Sequence, residues 1–250
     1  QVFPNFRIFG LHCLASALVF SDPAAKKEAF QNLKLIEEVA WMHEYLNSLD
    51  VLLFYREAES DLVKKLTLIE KLTGVKPIRQ YIMEMPPVGR ELSLTDWRIL
   101  KSMRYNARKP TKQVAKEVGL TARAVNYRLQ RLRKENAFFI VPVVSFENLE
   151  NVFCSHFIFF LDEAHRTEAI KEITRLIGER YMDQLVSSQG SVSFCIPTTS
   201  IIQSEDDYLK AKAIPGVEKV IMDFLLSCHD VSTFIDKLID QKILGSETKN

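Results

Sequence analysis

Apolar and polar positions alternate with two different periods along this chain. From residue 6 to 85 the order is a strand-like apolar run, "HCLASALVF", then "SDPAAKKEAFQNLKLIEE". The second stretch opens with Ser-Asp-Pro, a helix start, and places Ala29, Leu33 and Ile36 at helical spacing. "VAWMHEYL" and "VLLFYRE" follow as two strands joined through "NSLD". "SDLVKKLTLIEKLTG" is an amphipathic helix stopped by Gly74, and "KPIRQYIMEM" is a last strand. The order is βαββαβ, the ferredoxin-like arrangement.

From about residue 152 the same order returns. "VFCSHFIFFLD" predicts a strand and "RTEAIKEITRLIGE" a helix. "YMDQLVSS" and "VSFCIPT" predict a hairpin turning at Gln189-Gly190. "SEDDYLKAKAI" predicts a helix, "VEKVIMDFLLS" a strand, and "VSTFIDKLIDQKI" a closing helix. An offset of 140 residues pairs Phe6 with Phe146, Phe20 with Phe160, Asp22 with Asp162 and Phe54 with Phe194. The matching order of elements argues for two copies of one unit more strongly than these identities do.

Residues 90–145 differ in kind. Pro86-Pro87 and Gly89 break the preceding strand pattern. Ser93 and Asp96 have capping-box spacing at the head of a helix whose apolar positions are Leu94, Trp97, Ile99, Leu100 and Met103. Pro110 suits the first position of a second helix, with Val114, Ala115 and Val118 inward and Gly119 at its end. Thr121 caps a third helix, in which Val125, Leu129 and Leu132 share one face. Asn136 tolerates the left-handed conformation that stops it, and "AFFIVPVV" returns as a β-wing. The expected fold class is α+β: two ferredoxin-like βαββαβ domains flanking a winged helix-turn-helix domain. The expected domains are 1–87, 88–145 and 146–250, the last including the C-terminal helix.

Charge sharpens this picture. From Arg98 to Lys134 there are twelve basic residues and one acid, Glu117, a local net of +11. The whole chain nets +1, so the rest carries −10. Such asymmetry marks a nucleic-acid footprint, with double-stranded DNA as the expected partner. In a helix-turn-helix, the first residues of the second helix reach base edges. Thr121, Ala122, Arg123, Asn126 and Tyr127 occupy those places, with Arg suited to guanine and Asn to adenine. Tyr127 has packing against the wing as its other role. Arg128, Arg131, Lys109, Lys112 and the Thr111 hydroxyl are placed to grip phosphates.

The remaining chemistry is sparse. Cys13, Cys154, Cys195 and Cys228 form no C-x-x-C pair and read as small buried thiols of a reducing, cytoplasmic setting. His12, His43, His156, His165 and His229 lack metal-ligand spacing. No run of eighteen apolar residues suggests a membrane span. No catalytic residue, cofactor or metal is expected.

"LSLTDWRIL" from Leu92, "VAKEVGLT" from Val114 and "VNYRLQRL" from Val125 resemble the DNA-binding domain of Lrp/AsnC regulators, in which a βαββαβ ligand-sensing domain follows, and the resemblance covers about residues 90–226. Ser93 and Asn136 stand where that family usually has Asp and Gly. The resemblance implies a transcription regulator of bacterial or archaeal type, modulated by a small effector such as an amino acid whose site is not assigned. Sirohaem decarboxylases resemble the same architecture, an enzymatic alternative that needs a basic, histidine-rich pocket. An architectural DNA protein without promoter specificity is a further alternative. The second βαββαβ unit, which ordinary members lack, suggests two fused protomers whose sensor domains form a pseudo-dimer within one chain, open to further self-association. The stretch "QVFPNFRIF", beginning at Gln1, then reads as the linker after a first winged helix that this chain does not include.

Overall fold

The computed structural model describes all residues except 57, 84, 142–151, 181–182, 187–190, 231–232 and 248–250. The first unit runs β2 (Leu11–Val19), α1 (Pro23–Leu33), β3 (Val39–Tyr45), β4 (Ser48–Arg56), α2 (Glu59–Thr73) and β5 (Ile78–Met83). The second runs β7 (Phe153–Leu161), α6 (Arg166–Ile177), β8 (Asp183–Val186), β9 (Ser191–Thr198), α7 (Ile201–Lys212) and β10 (Val217–Asp230). Both are βαββαβ as the pattern predicts. The Gln189-Gly190 turn lies outside the described residues.

All eight strands join one antiparallel sheet in the order β5-β2-β4-β3-β10-β7-β9-β8. Each half keeps the ferredoxin-like strand order, and the halves meet where β3 pairs with β10, Trp41 opposite Asp230. At the far ends β5 packs beside β8 and β9, so the sheet curls back on itself.

One face of each half is covered by its own two helices. Leu14, Leu18, Val51 and Leu53 pack on Phe30, Leu33, Leu62 and Ile69 in the first. Phe157, Phe159 and Phe194 pack on Ala169, Ile173 and Ala211 in the second. Helix α1 ends at Leu33, short of the expected extent, with tightened bonds from Leu35 N–H to Asn32 and from Ile36 N–H to Leu33. Ile36 is still buried, but from beyond the helix, and Leu35 is solvent-exposed.

The junction between the halves is polar and buried. His156 on β7 stacks on Tyr45 of β3, ring centroids 4.6 Å apart. Its Nε2 shares a hydrogen bond with the Ser193 hydroxyl, and its Nδ1 lies 3.6 Å from the Asp50 carboxylate. Burial lowers the His156 pKa to about 3 and that of neighbouring His43 to about 4, so both rings are neutral. Asp223 of β10 accepts hydrogen bonds from the Asn47 N–H and the Ser48 hydroxyl, tying the second half to the β3–β4 turn.

The helical segment comprises α3 (Leu94–Met103), α4 (Thr111–Val118) and α5 (Ala122–Lys134). Its core, built on Trp97, Ile99, Leu100, Val114, Val125 and Leu132, is continuous with Phe3, Phe6, Phe54, Ile235 and Ile239. The wing strand β6 (Phe138–Ile140) pairs with β1 (Val2–Pro4), Phe3 opposite Phe139. The wing's partner thus comes from the other end of the chain, which local pattern does not reveal. Helix α8 (Phe234–Glu247), expected as part of the last domain, lies against α3 instead. The expected domain limit at 145/146 and the wing residues from 142 onward fall outside the described residues.

Candidate nucleic-acid interface

The three helices of this segment are punctuated by their sequence. Ser93 caps α3 with a reciprocal capping box: its hydroxyl accepts from the Asp96 N–H, and the Asp96 carboxylate accepts from the Ser93 N–H. Pro110 is the N-cap of α4 and not its first helical residue, one position earlier than expected. Gly119 ends α4 at φ 69°, where a side chain would be strained. The Thr121 hydroxyl accepts from Ala124 N–H and starts α5. Helix α5 stops in a Schellman motif, with Asn136 at φ 54° and the Ala137 N–H bonded to the Leu132 carbonyl.

At about 100° per residue, Arg123, Tyr127, Gln130 and Lys134 form one row along α5, flanked by Asn126 and Arg133. This row lies opposite the buried Val125 and Leu132, and every member is exposed. Tyr127 is 64% exposed. The Asn126 carboxamide oxygen accepts a hydrogen bond from the Thr111 hydroxyl at 3.0 Å, joining the start of α4 to the outer face of α5. Ala122 is half-buried beside Thr121.

The flank of α5 is different. Asp96 is fully buried and gathers cations from two directions. Arg90 and Arg128 each donate to it at 2.9 Å, and Arg131 approaches to 3.9 Å. Burial raises the Asp96 pKa, but the hydrogen bonds from Ser93, Arg128 and Arg90 outweigh it and hold the carboxyl below its usual value. Arg128 is thus tied to Asp96 within the domain, and a phosphate would have to compete with that carboxylate for it. Lys109 is tied likewise: its ammonium donates to the Ser102 carbonyl and pairs with Glu117 at 2.9 Å. A cation beside a buried or convergent carboxylate gains more from that fixed partner than from water. Arg131 is intermediate, its guanidinium 5.8 Å from the Tyr127 ring.

Helix α8 draws two more cations inward. Lys101 pairs with Asp240, and the fully buried Arg104 lies 3.4 Å from Asp236 and over the Phe3 ring at 3.9 Å. Of the twelve basic residues, Arg108, Lys112, Lys116, Arg123, Arg133 and Lys134 are exposed and have no carboxylate partner among the described residues.

The first unit is stitched to the recognition helix by Asn5, which is almost fully buried. Its N–H donates to the Ala137 carbonyl, and its carboxamide donates to the carbonyls of Pro86 and Asn136, both at 2.9 Å. Arg90 completes the seam by pairing with Glu135 at 2.5 Å while it holds Asp96. Sequence pattern offers no signal for Asn5 or Arg90, because their partners lie 131 and 45 residues away.

Residues 92–133 match the model of the AsnC-type helix-turn-helix domain. The chain carries an AsnC-type helix-turn-helix domain. Among solved structures, the whole chain is similar to the siroheme decarboxylase NirDL in complex with an iron-uroporphyrin III analogue, TM-score 0.62. That match has 11% identity and covers 98% of this chain and 83% of the other. AsnC of E. coli aligns with 55% of this chain and 94% of its own length, at 14% identity and TM-score 0.44. A Neisseria meningitidis transcriptional regulator in complex with L-Met aligns with 55% and 91%, at 18% identity and TM-score 0.46. No curated protein sequence matches the chain. At such identities the NirDL likeness speaks for the fold that surrounds the AsnC-type domain and not for chemistry. No helix among the described residues is long and apolar enough to cross a membrane.

Proposed function

We infer that this chain is a sequence-specific DNA-binding transcription regulator of Lrp/AsnC type. The observation that carries the reading is the exposed face of α5, Arg123, Asn126 and Tyr127, projecting from the start of the second helix of the AsnC-type helix-turn-helix. Arg123 has no ion pair or hydrogen bond among the described residues to compete with a guanine edge. Asn126 presents its amide beside it, with Thr121 and Ala122 at the helix start close to the groove floor. Phosphate contacts fall to Lys112, Lys116, Arg108, Arg133 and Lys134, with the Thr111 hydroxyl and Arg131 at the margin. The two βαββαβ units serve as a sensor pair within one chain, a reading that the β3–β10 pairing supports. An effector such as an amino acid would modulate it. Selection of bound DNA from a random pool, with and without amino acids, tests the reading. A recovered motif that Arg123→Ala degrades supports it, and retention of all sequences alike points to an architectural protein.

The enzymatic alternative rests on the fold shared with a siroheme decarboxylase. A basic, histidine-rich pocket is what that chemistry asks for. His43 and His156 instead lie in the sheet junction, where burial keeps them neutral. Tetrapyrrole absorbance in the purified protein would favour the enzyme.

A further inference from the structure

An open cleft of about 530 Å³ lies where the AsnC-type domain meets the N-terminal segment and α8. That size lies in the range of small-molecule sites, about 300–1,000 Å³. Its apolar wall is built from Val88, Leu92 and Trp97. Arg7, Arg90 and Lys242 stand around it, against a single carboxylate on the lining, Glu91. Arg7 is exposed and has no carboxylate partner among the described residues. Arg7, beside an apolar floor, suits an anionic head on a hydrophobic body.

The position of Arg90 gives this cleft a consequence. The same guanidinium that lines it holds Asp96 at the start of α3 and Glu135 at the end of α5. An anion in the cleft competes with those two carboxylates for Arg90. Loosening them frees both ends of the clamp that fixes the recognition helix.

We propose that this cleft binds a small organic anion with an apolar body, and that its occupation weakens DNA binding by drawing Arg90 off Asp96 and Glu135. The site is distinct from the β3–β10 junction between the two halves of the sheet. Its output rests on the DNA-binding reading; the binding of the anion does not.

Benzoate is the probe, with benzyl alcohol as its neutral counterpart. Trp41→Phe leaves Trp97 as the one tryptophan, so its emission reports on the cleft, and calorimetry on the unaltered protein provides a second measurement. Benzoate should shift Trp97 emission saturably, and Arg7→Ala should weaken it about fivefold or more with little effect on benzyl alcohol. Val88→Phe, which fills the cleft, should abolish both. With ionic strength held constant by chloride, saturating benzoate should raise the Kd for DNA about fivefold, and should not do so in Val88→Phe. No saturable change in either measurement up to roughly 50 mM, beyond the millimolar range of a fragment this size, overturns the site. So does equal benzoate affinity in Arg7→Ala. Binding of benzoate with unchanged DNA affinity overturns the coupling. A protein that retains no DNA even without benzoate defeats the DNA-binding reading, while Trp97 emission still decides the site.

Discussion

The outer face and the flank of α5 carry the same kind of side chain and do opposite things. Arg123 on the face is exposed, with no ion pair among the described residues; Arg128, five residues on, is 28% exposed and locked to a carboxylate that is 0% exposed. An Arg held by Asp96 sets where the helix sits, and an Arg without such a partner can read what lies in front of it. Net charge summed along the sequence counts both alike. The footprint is the smaller set that remains after Asp96, Glu117 and the acids of α8 have taken their share.

Salt gives the widest test of that division. If the six outward cations each neutralise a phosphate, log K should fall against log salt with a slope near −5, about a thousandfold between 50 and 200 mM. A filter-binding slope near −10 would mean that the inward cations also bind DNA. Next in size, Asp96→Ala leaves Arg90 and Arg128 without their carboxylate and removes half of the capping box. It should cost roughly 3–5 kcal/mol by urea denaturation, whereas Arg123→Ala should leave stability unchanged within about 0.5 kcal/mol.

Acid separates this charged node from the neutral one at the sheet junction. His43 and His156 have folded pKa values of about 4 and about 3, below the unfolded 6.5. The unfolded chain binds protons first as pH falls, so stability drops from about pH 6.5 downward. The loss should be roughly 2 kcal/mol per histidine between pH 7 and 5, seen as a lower Tm. Asp96 titrates below its ordinary 3.8, and its contribution is lost only as pH falls further. Asp96→Asn should therefore show the same difference between pH 7 and 5 as the unaltered protein. The smallest effect sharpens the comparison most. Arg123→Ala should cost roughly 1–3 kcal/mol at one base pair and relax preference there. Arg128→Ala should cost a similar amount of folding stability with the preferred sequence unchanged, read by selection from a random pool.

Element order was legible because each strand and helix advertises its period locally. The caps at Ser93, Thr121 and Asn136 were legible too, since each satisfies backbone groups of its own helix. Pairings across the chain were not. Nothing in "VFP" announces that Phe3 stacks on Phe139, and nothing in α8 announces Lys101. The outward orientation of the row that faces away from Val125 was legible, because helical spacing alone decides it. The ion pairs of Arg128 and Lys109 were not, because their carboxylates sit 32 and 8 residues away on other turns of the fold.

The β3–β10 seam also bears on how the protein is made. Trp41 leaves the ribosome 189 residues before Asp230, its partner in the ladder. Until then β3 is an edge with unpaired backbone groups, and such edges recruit strands from other chains. Pairings this distant in sequence close slowly. A nascent chain stalled before β10 would have most of its helices and the whole AsnC-type domain, yet it would expose the edge most prone to pair with a neighbour.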